Sequence, residues 1–205
     1  MSGPAIRLDN DATKSALPRI IQGGMGVGIS GWPLANAVAS CGEMGVVSGT
    51  VLEVVMARRL QLGDPGGHVR RALDHFPFPA IAERILSDYF VPEDSAGPRQ
   101  LKNVRTFTIE PGLALQELTV AANFVEVFLA KEGNDGPVGI NYLRKIELPI
   151  PCSIYGAMLA GVDYVIVGAG NPRDIPGLVS GLAQHLSLIH ISEPTRRRLE
   201  SRVAE

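Results

Sequence analysis

The amino-acid sequence predicts an α/β protein in which helices cover a parallel β-sheet. Two patterns along its 205 residues indicate this class. Short apolar runs end at glycine or small polar residues, and after each run the apolar residues recur with helical spacing. Hydrophobic residues make up 45% of the chain and charged residues 20%, which is enough apolar surface for a core. Because parallel strands present their carboxyl ends at one edge of a sheet, we expect one ligand-binding edge.

The first two strand–helix units fall in the first 62 residues. A short apolar run that stops at glycines predicts a strand over Arg19–Met25. Helical spacing predicts a helix over Trp32–Ser40 that ends before Gly42. Gly45–Ser48 is the expected second strand, and Leu52–Leu62 is the helix that follows it.

The middle of the chain departs from this alternation. Residues 64–67 break the chain, residues 68–90 favour one or two helices, and residues 91–104 are a polar loop. β-branched alternation predicts a strand over Arg105–Ile109. Such an excursion is much longer than a usual strand-to-helix connection, so we expect a helical insertion at about residues 64–112.

Two more units complete the alternation. The strongest helical pattern runs over Leu113–Lys131 and is followed by a strand over Val138–Tyr142. A helix is expected over Ser153–Ala160, a strand over Val165–Val167, and a last helix over about Ile175–Gln184.

The two ends of the sequence lack this pattern. Residues 1–18 are polar and are expected to form a flexible leader. Leu186–Arg196 matches, without a mismatch, the translation of a transposase sequencing adapter. We therefore interpret residues 186–205 as a non-native tail, expect the natural reading frame to be interrupted near Gln184, and exclude the tail from the fold.

Composition excludes several classes of function. A formal net charge of −2 argues against nucleic acid or an anionic membrane as partner. We find no apolar run of roughly 20 residues that could span a bilayer, and no signal peptide. Cys41 and Cys152 are expected to be buried, reduced thiols of a cytoplasmic protein. His68 and His75 share a helix face, but no third ligand accompanies them, so no metal site is expected. The expected partner is a small-molecule substrate, and self-association is left open.

Four residues at the ends of predicted strands are candidates for ligand binding. Gly24 and Met25 end the first strand, where backbone without a Cβ and an apolar side chain can lie along a flat ring. Asn141 ends the third strand and offers both a donor and an acceptor, which are costly to bury unless paired. Gly168 ends the fourth strand. The alternative is that Asn141 caps the next segment and that Gly168 serves a turn.

A dinucleotide site is a weaker interpretation of the same glycines. Residues 26–31 satisfy the pattern GxGxxG, and Glu53 follows at a passable distance for a ribose-binding acid. However, Gly23–Met25 separates these glycines from the strand, and Pro33 falls where the phosphate-binding helix should run. Lys145 could reach a ligand anion, but a solvated lysine is the simpler interpretation.

Five segments together resemble one known family. They are residues 20–26 (IIQGGMG), 45–49 (GVVSG), 123–133 (NFVEVFLAKEG), 136–141 (GPVGIN) and 164–170 (YVIVGAG). Over about residues 18–185 the chain is similar to the nitronate monooxygenase (2-nitropropane dioxygenase-like) family of FMN-dependent TIM barrels. The resemblance implies a (β/α)8 barrel that binds FMN. Because an eight-unit barrel needs about 250 residues, the expected fold is its truncated N-terminal half, at residues 19–185, with the helical insertion.

The resemblance also implies roles for the four candidates. Gly24 and Met25 match the first-strand contact with the flavin, Asn141 matches the asparagine that the family places on FMN, and Gly168 is a weaker match. The family's catalytic histidine and the loops that hold the FMN phosphate belong to the second half of the barrel, so no catalytic residue is assigned. The implied reaction is the oxidation of alkyl nitronates to a carbonyl compound and nitrite. The alternatives are an FMN-dependent enoyl-thioester reductase of fatty acid or polyketide synthesis, or an inactive fragment without the catalytic half.

Overall fold

A computed structural model describes residues 17–93 and 101–184 of the protein. Residues 186–205, predicted to be a non-native tail, and nearly all of the predicted leader therefore lie outside the described residues. Within these ranges the fold is α/β, with seven α-helices and one parallel sheet of three strands in the order β1–β2–β3. The strands are β1 (Gly45–Ser48), β2 (Val138–Leu143) and β3 (Tyr164–Gly168). The helices are α1 (Trp32–Ser40), α2 (Leu52–Gln61), α3 (His68–Leu73), α4 (Pro79–Tyr89), α5 (Leu113–Lys131), α6 (Ile150–Leu159) and α7 (Ile175–Ala183).

Most of the predicted elements are confirmed. The bounds of α1, β1 and α5 are those predicted, and the remaining elements differ at their ends by a few residues. The cores of β1 and β2 are apolar and buried on both faces, since Val46, Val47, Val138 and Ile140 have no exposed surface. β3, at the end of the sheet, is only partly buried. In register, Ser48 lies opposite Asn141, and Leu143 lies opposite Gly168. The carboxyl ends of the three strands therefore meet at one edge.

The predicted first strand is wrong, because residues 19–25 form only an isolated parallel bridge between Ile21 and Met44. The N–H of Gln22 still donates to the carbonyl of Met44 at 3.0 Å. At the next ladder position, however, the N–H of Val46 donates to the side-chain Oε1 of Gln22, also at 3.0 Å. The side-chain amide thus replaces a backbone partner. The main chain is released from the ladder at Gly23, and the described residues form an open sheet rather than a closed barrel.

The strand predicted over Arg105–Ile109 is also wrong, since this segment is irregular. No described strand lies beside it. It runs along α4 and the start of α5, next to Ile85 and Leu115, and only its neighbour Val104 packs against the core. The alternating β-branched residues therefore contact a helical surface, where a ladder of backbone hydrogen bonds cannot form.

The helices of the expected insertion contribute to the same core as the sheet. Val69, Leu73 and Ile85 belong to the cluster of buried residues that includes the strands. The ring of Phe76 contacts that of Phe124 on α5 edge to face, with centroids 5.1 Å apart. One continuous core thus joins residues 68–89 to the strand–helix units.

Helix α5 corrects the expectation about membrane-spanning segments. Its 19 residues are long and apolar enough, by length and composition, to cross a membrane. However, 72% of its most apolar window is buried inside the protein. Its apolar character is accounted for by its position against α1, α2 and α6, as expected for a core helix.

A buried ion pair holds α1 and α2 on α5. The carboxylate of Glu126, only 3% exposed, accepts the backbone N–H of Trp32 at 2.7 Å and lies 2.6 Å from Nη1 of Arg59. Trp32 is the first residue of α1, so this carboxylate caps the helix that follows the glycine-rich segment. The start of α1, and with it the end of that segment, is fixed against the core.

Candidate functional site

The residues between the isolated bridge and α1 form a compact loop at the carboxyl edge of the sheet. We call residues 23–30 the glycine loop. The hydroxyl of Ser30 donates to the carbonyl of Gly23 at 3.0 Å and accepts the N–H of Met25 at 3.0 Å. The carbonyl of Ser30 accepts the N–H of Ser48, the last residue of β1, at 2.8 Å. The loop is therefore closed on itself and attached to the end of β1.

Gly24 is required for this attachment. A Cβ at this position would lie 2.5 Å from Cγ1 of Val46 and 2.8 Å from the carbonyl oxygen of Val47. No side chain fits so close to the backbone of β1, so a larger residue would move the glycine loop away from the sheet.

Asn141 joins the glycine loop to β2. Its Nδ2 donates to the carbonyl of Gly24 at 2.9 Å and lies 3.6 Å from Sδ of Met25. The carbonyl of Gly24 fixes the orientation of the amide, because a rotated amide would place two oxygens against each other. Oδ1 of Asn141 is consequently directed elsewhere. It is buried, and in the described part of the chain it is the one buried side-chain polar atom without a hydrogen-bond partner.

Such an atom calls for an explanation. Leaving a buried acceptor unpaired costs about 1–3 kcal/mol. A ligand N–H would supply the missing donor. Gly168 borders the atom: a Cβ on Gly168 would lie in ordinary contact with Oδ1, at 3.8 Å, and would meet no other atom within 4 Å.

The structure thus brings the four sequence-predicted site residues together at one edge. Gly24 and Met25 contact the side chain of Asn141, and Gly168 borders its unpaired oxygen. Met25 is 67% exposed, and Ile29 of the same loop is 77% exposed. An apolar surface therefore lies next to a hydrogen-bond acceptor, an arrangement suited to a flat heterocycle that carries an N–H.

The sequence analysis missed Arg144, which shapes the turn after β3. Its backbone N–H donates to the carbonyl of Gly168 at 2.8 Å, and its guanidinium donates to the carbonyl of Asn171 and to the carboxylate of Asp174, at 3.2 and 2.7 Å. The neighbouring cation that the sequence did single out, Lys145, is exposed. The sequence places the two cationic residues side by side, and it gives no signal as to which of the two side chains packs against the protein.

Glu53 is the acid that the dinucleotide interpretation would use to bind a ribose. It lies in the first turn of α2, is 7% exposed, and has no basic partner in the ranges that the structure describes. Burial raises the pKa of its carboxyl above the ordinary value, and a hydrogen bond from its own backbone N–H offsets part of that rise.

The geometry at α1 argues against the dinucleotide interpretation. In a dinucleotide fold the start of the helix after the glycines binds the pyrophosphate. Here that place, at Trp32, is taken by the carboxylate of Glu126. A phosphate would be repelled by the carboxylate and would find the backbone N–H already used.

The two described histidines, His68 and His75, each lie against an aromatic ring. Among residues 17–93 and 101–184, no group of three or more histidine, cysteine or acidic side chains could hold a metal ion. His68 contacts the ring of Trp32, and His75 stacks on Phe128. Cys152 is buried, and burial raises the pKa of its thiol to about 12. Cys41 is exposed, which corrects the expectation that both thiols are buried, because it follows the last turn of a surface helix.

Comparisons with protein-family models, with curated proteins and with solved structures gave no match. The case for a function therefore rests on the geometry of the carboxyl edge.

Proposed function

We propose that the carboxyl edge is half of an FMN site. The chain is then the N-terminal half of a (β/α)8 barrel whose complete form oxidises alkyl nitronates to a carbonyl compound and nitrite in the cytoplasm. The observation that carries the proposal is the buried, unpaired Oδ1 of Asn141, which is bordered by Gly168 and lies next to the exposed side chain of Met25. The parallel strand–helix order is that of a (β/α)8 barrel.

The donors and surfaces at this edge fit a flavin. An isoalloxazine ring has a polar edge with an imide N–H and carbonyl oxygens, and apolar faces. Oδ1 of Asn141 accepts an N–H, the exposed side chain of Met25 covers an apolar face, and Gly24 and Gly168 leave room for the ring to approach the backbone. FMN would supply the electron acceptor for oxidation of the substrate.

In this proposal the residues of this chain bind and orient the flavin, and none of them removes a proton from the substrate carbon. Asn141 is fixed by the carbonyl of Gly24, so it presents its acceptor in one orientation before the ligand arrives. Met25 and Ile29 exclude water from one face of the ring. The base that deprotonates or positions the substrate carbon, and the donors for the phosphate, come from strand–helix units beyond Gln184 in this proposal.

Binding of FMN to this chain tests the cofactor assignment. Gly168→Ala adds a methyl group in ordinary contact with Oδ1 of Asn141, so the fold is kept while the ligand space is filled. We expect flavin-fluorescence titration to show FMN binding to the parent chain and about tenfold weaker binding to Gly168→Ala, which corresponds to about 1.4 kcal/mol.

Gly112→Ala is the matched control, because a Cβ on Gly112 also meets nothing within 4 Å but lies away from the edge, at the start of α5. It should bind FMN like the parent chain. No FMN binding to the parent chain, or equal affinity for both glycine variants, would contradict the proposed site.

The reaction class is tested on the product of the uninterrupted gene. Reading genomic DNA beyond the codon for Gln184 should reveal further strand–helix units, including a histidine at the end of a strand. That protein should consume oxygen with an alkyl nitronate in the absence of NADPH. NADPH oxidation stimulated by an enoyl thioester would instead identify the reductase alternative.

A further inference from the structure

Each side of the sheet ends at an edge that can accept a further strand. On the side of β1, the N–H of Met44 donates to the carbonyl of Ile20 at 3.1 Å, and its carbonyl accepts the N–H of Gln22 at 3.0 Å. The N–H and carbonyl of Ile21, which lies between these two residues, are therefore directed away from β1. The side chain of Ile21 is 59% exposed, and no strand lies beside it in the part of the chain that the structure describes.

The opposite edge of the sheet is formed by β3. The N–H of Asp163, just before this strand, donates to the carbonyl of Val138 on β2 at 3.0 Å. Because alternate residues of a strand direct their backbone groups to the same side, Tyr164 and Ile166 direct theirs away from β2. All residues of β1 are buried, whereas no residue of β3 is. The outer side of β3 is thus an accessible edge, like the edge at Ile21.

The face of the sheet that carries Asn141 is also incompletely covered. In register, Tyr164 lies opposite Gly139 and Ile166 lies opposite Asn141, so Tyr164 and Ile166 share the face of Asn141. The three atoms nearest to a Cβ on Gly139 would belong to Val46 and Tyr164, which are residues of neighbouring strands. Tyr164 is 38% exposed. In a closed (β/α)8 barrel such a face is the interior, which side chains fill in layers.

The number of strands indicates what covers these edges. The bridge segment (residues 20–22), β1, β2 and β3 are four parallel strand positions, each followed by a helix, and a (β/α)8 barrel has eight. The remaining stretches of the chain, residues 1–16, 94–100 and 185–205, are far too short for four more units, which need about 125 residues. A second copy of the chain supplies four more units. A twofold axis along the barrel keeps all eight strands parallel.

We propose that two copies of this chain close one eight-stranded barrel, in which the bridge segment of each copy pairs with β3 of the other. The inference rests on the proposed function, because the (β/α)8 geometry comes from it. The glycine loops and the Asn141 side chains of both copies then lie around one mouth. The second copy therefore contributes to a flavin site that one chain forms only in part.

Proline at each edge tests this pairing. Ile21→Pro and Ile166→Pro each remove an N–H that points away from the neighbouring strand, so the sheet within one copy keeps its hydrogen bonds. Wild type should sediment as a dimer at micromolar concentration in analytical ultracentrifugation. Each variant damages both interfaces of the dimer, and we expect about thirtyfold weaker dimerisation from the loss of one hydrogen bond in each interface. Ile109→Pro is the matched control, at an exposed isoleucine of the irregular segment, and should dimerise like wild type.

A mixture of the two edge variants distinguishes barrel closure from other dimers. In a mixed dimer one interface carries both prolines and the other carries none, so the mixture should dimerise more tightly than either variant alone. Antiparallel pairing of β3 with β3 would instead leave Ile21→Pro dimeric. That result would overturn the inference, as would a monomeric wild type or equal dimerisation of the edge variants and Ile109→Pro.

FMN titration of wild type at a series of protein concentrations needs no variant, so misfolding of a proline variant would not obscure it. Because the site is shared between copies, the apparent affinity for FMN should rise with protein concentration, and FMN should increase the dimer fraction. Binding of FMN to a monomer with an affinity independent of protein concentration refutes the shared barrel alone. A dimer that is weakened at both edges by proline but binds no FMN refutes the flavin site alone.

Discussion

Two regions of this protein differ in whether their buried polar groups have partners. Where α5 meets α1 and α2, the buried carboxylate of Glu126 accepts hydrogen bonds from both Trp32 and Arg59. At the carboxyl edge of the sheet, the described residues offer no donor to the buried Oδ1 of Asn141 and no cation to the buried Glu53. Natural proteins violate local rules mainly at functional sites. The contrast supports the proposal that the ligand binds at the carboxyl edge, while the contacts of α5 with α1 and α2 stabilise the fold.

The ion pair should have the largest effect on stability. Arg59→Ala leaves the carboxylate of Glu126 buried with only the N–H of Trp32 as donor. Removing one partner of a buried pair costs about 3–5 kcal/mol. We expect a loss of this size in the free energy of unfolding measured by urea denaturation.

Arg84→Ala is the control for that measurement. It removes the partner of Glu117 in an ion pair in which Arg84 is exposed, so the expected loss is below about 1 kcal/mol. If both variants lost the same free energy of unfolding, the ion pair of Glu126 would matter no more for stability than a surface pair. The distinction between a core whose buried polar groups are paired and an edge where they are not would then lose its support.

Close packing in the same region gives the second prediction. Gly156→Ala on α6 would place a Cβ 2.1 Å from the carbonyl oxygen of Val120 on α5, and backbone atoms cannot yield easily. Overpacking of this kind costs about 1–3 kcal/mol. We expect a lower midpoint of urea unfolding for this variant.

Gly177→Ala on α7 is the matched helical glycine, with nothing within 4 Å of its added Cβ. It should gain about 0.5–1 kcal/mol from helix propensity. The interface between α5 and α6 would be looser than the structure indicates if Gly156→Ala also stabilised the protein.

The sequence predicted the residues at the carboxyl edge of the sheet better than it predicted the contacts among the helices that support that edge. Strand ends can be read from apolar runs, and parallel strands meet at one edge, so Asn141 and Gly168 could be placed together without a structure. The pairing of Arg59 with Glu126 joins residues 67 positions apart, and no local pattern encodes it. The loss of the first strand was equally hidden, because it depends on one side chain, that of Gln22, taking the place of backbone.

The pH dependence of stability is the last prediction and addresses Glu53 at the edge. Because burial raises the pKa of its carboxyl, the folded protein holds this proton more tightly than the unfolded chain does. Below the unfolded pKa, about 4.3, both states are protonated and the group has no net effect. As the pH rises above that value, only the unfolded state ionises freely, so this group lowers the stability of the protein until its folded-state pKa is passed.

Glu53→Gln lacks this ionisation, and its stability relative to wild type should rise with pH through that window and then level off. Urea denaturation at a series of pH values measures the difference, with Glu83→Gln on the surface as the control. A difference that is constant with pH would mean that Glu53 is ionised in the folded protein. Glu53 would then carry a buried charge as Glu126 does, and the contrast between the two carboxyls would disappear.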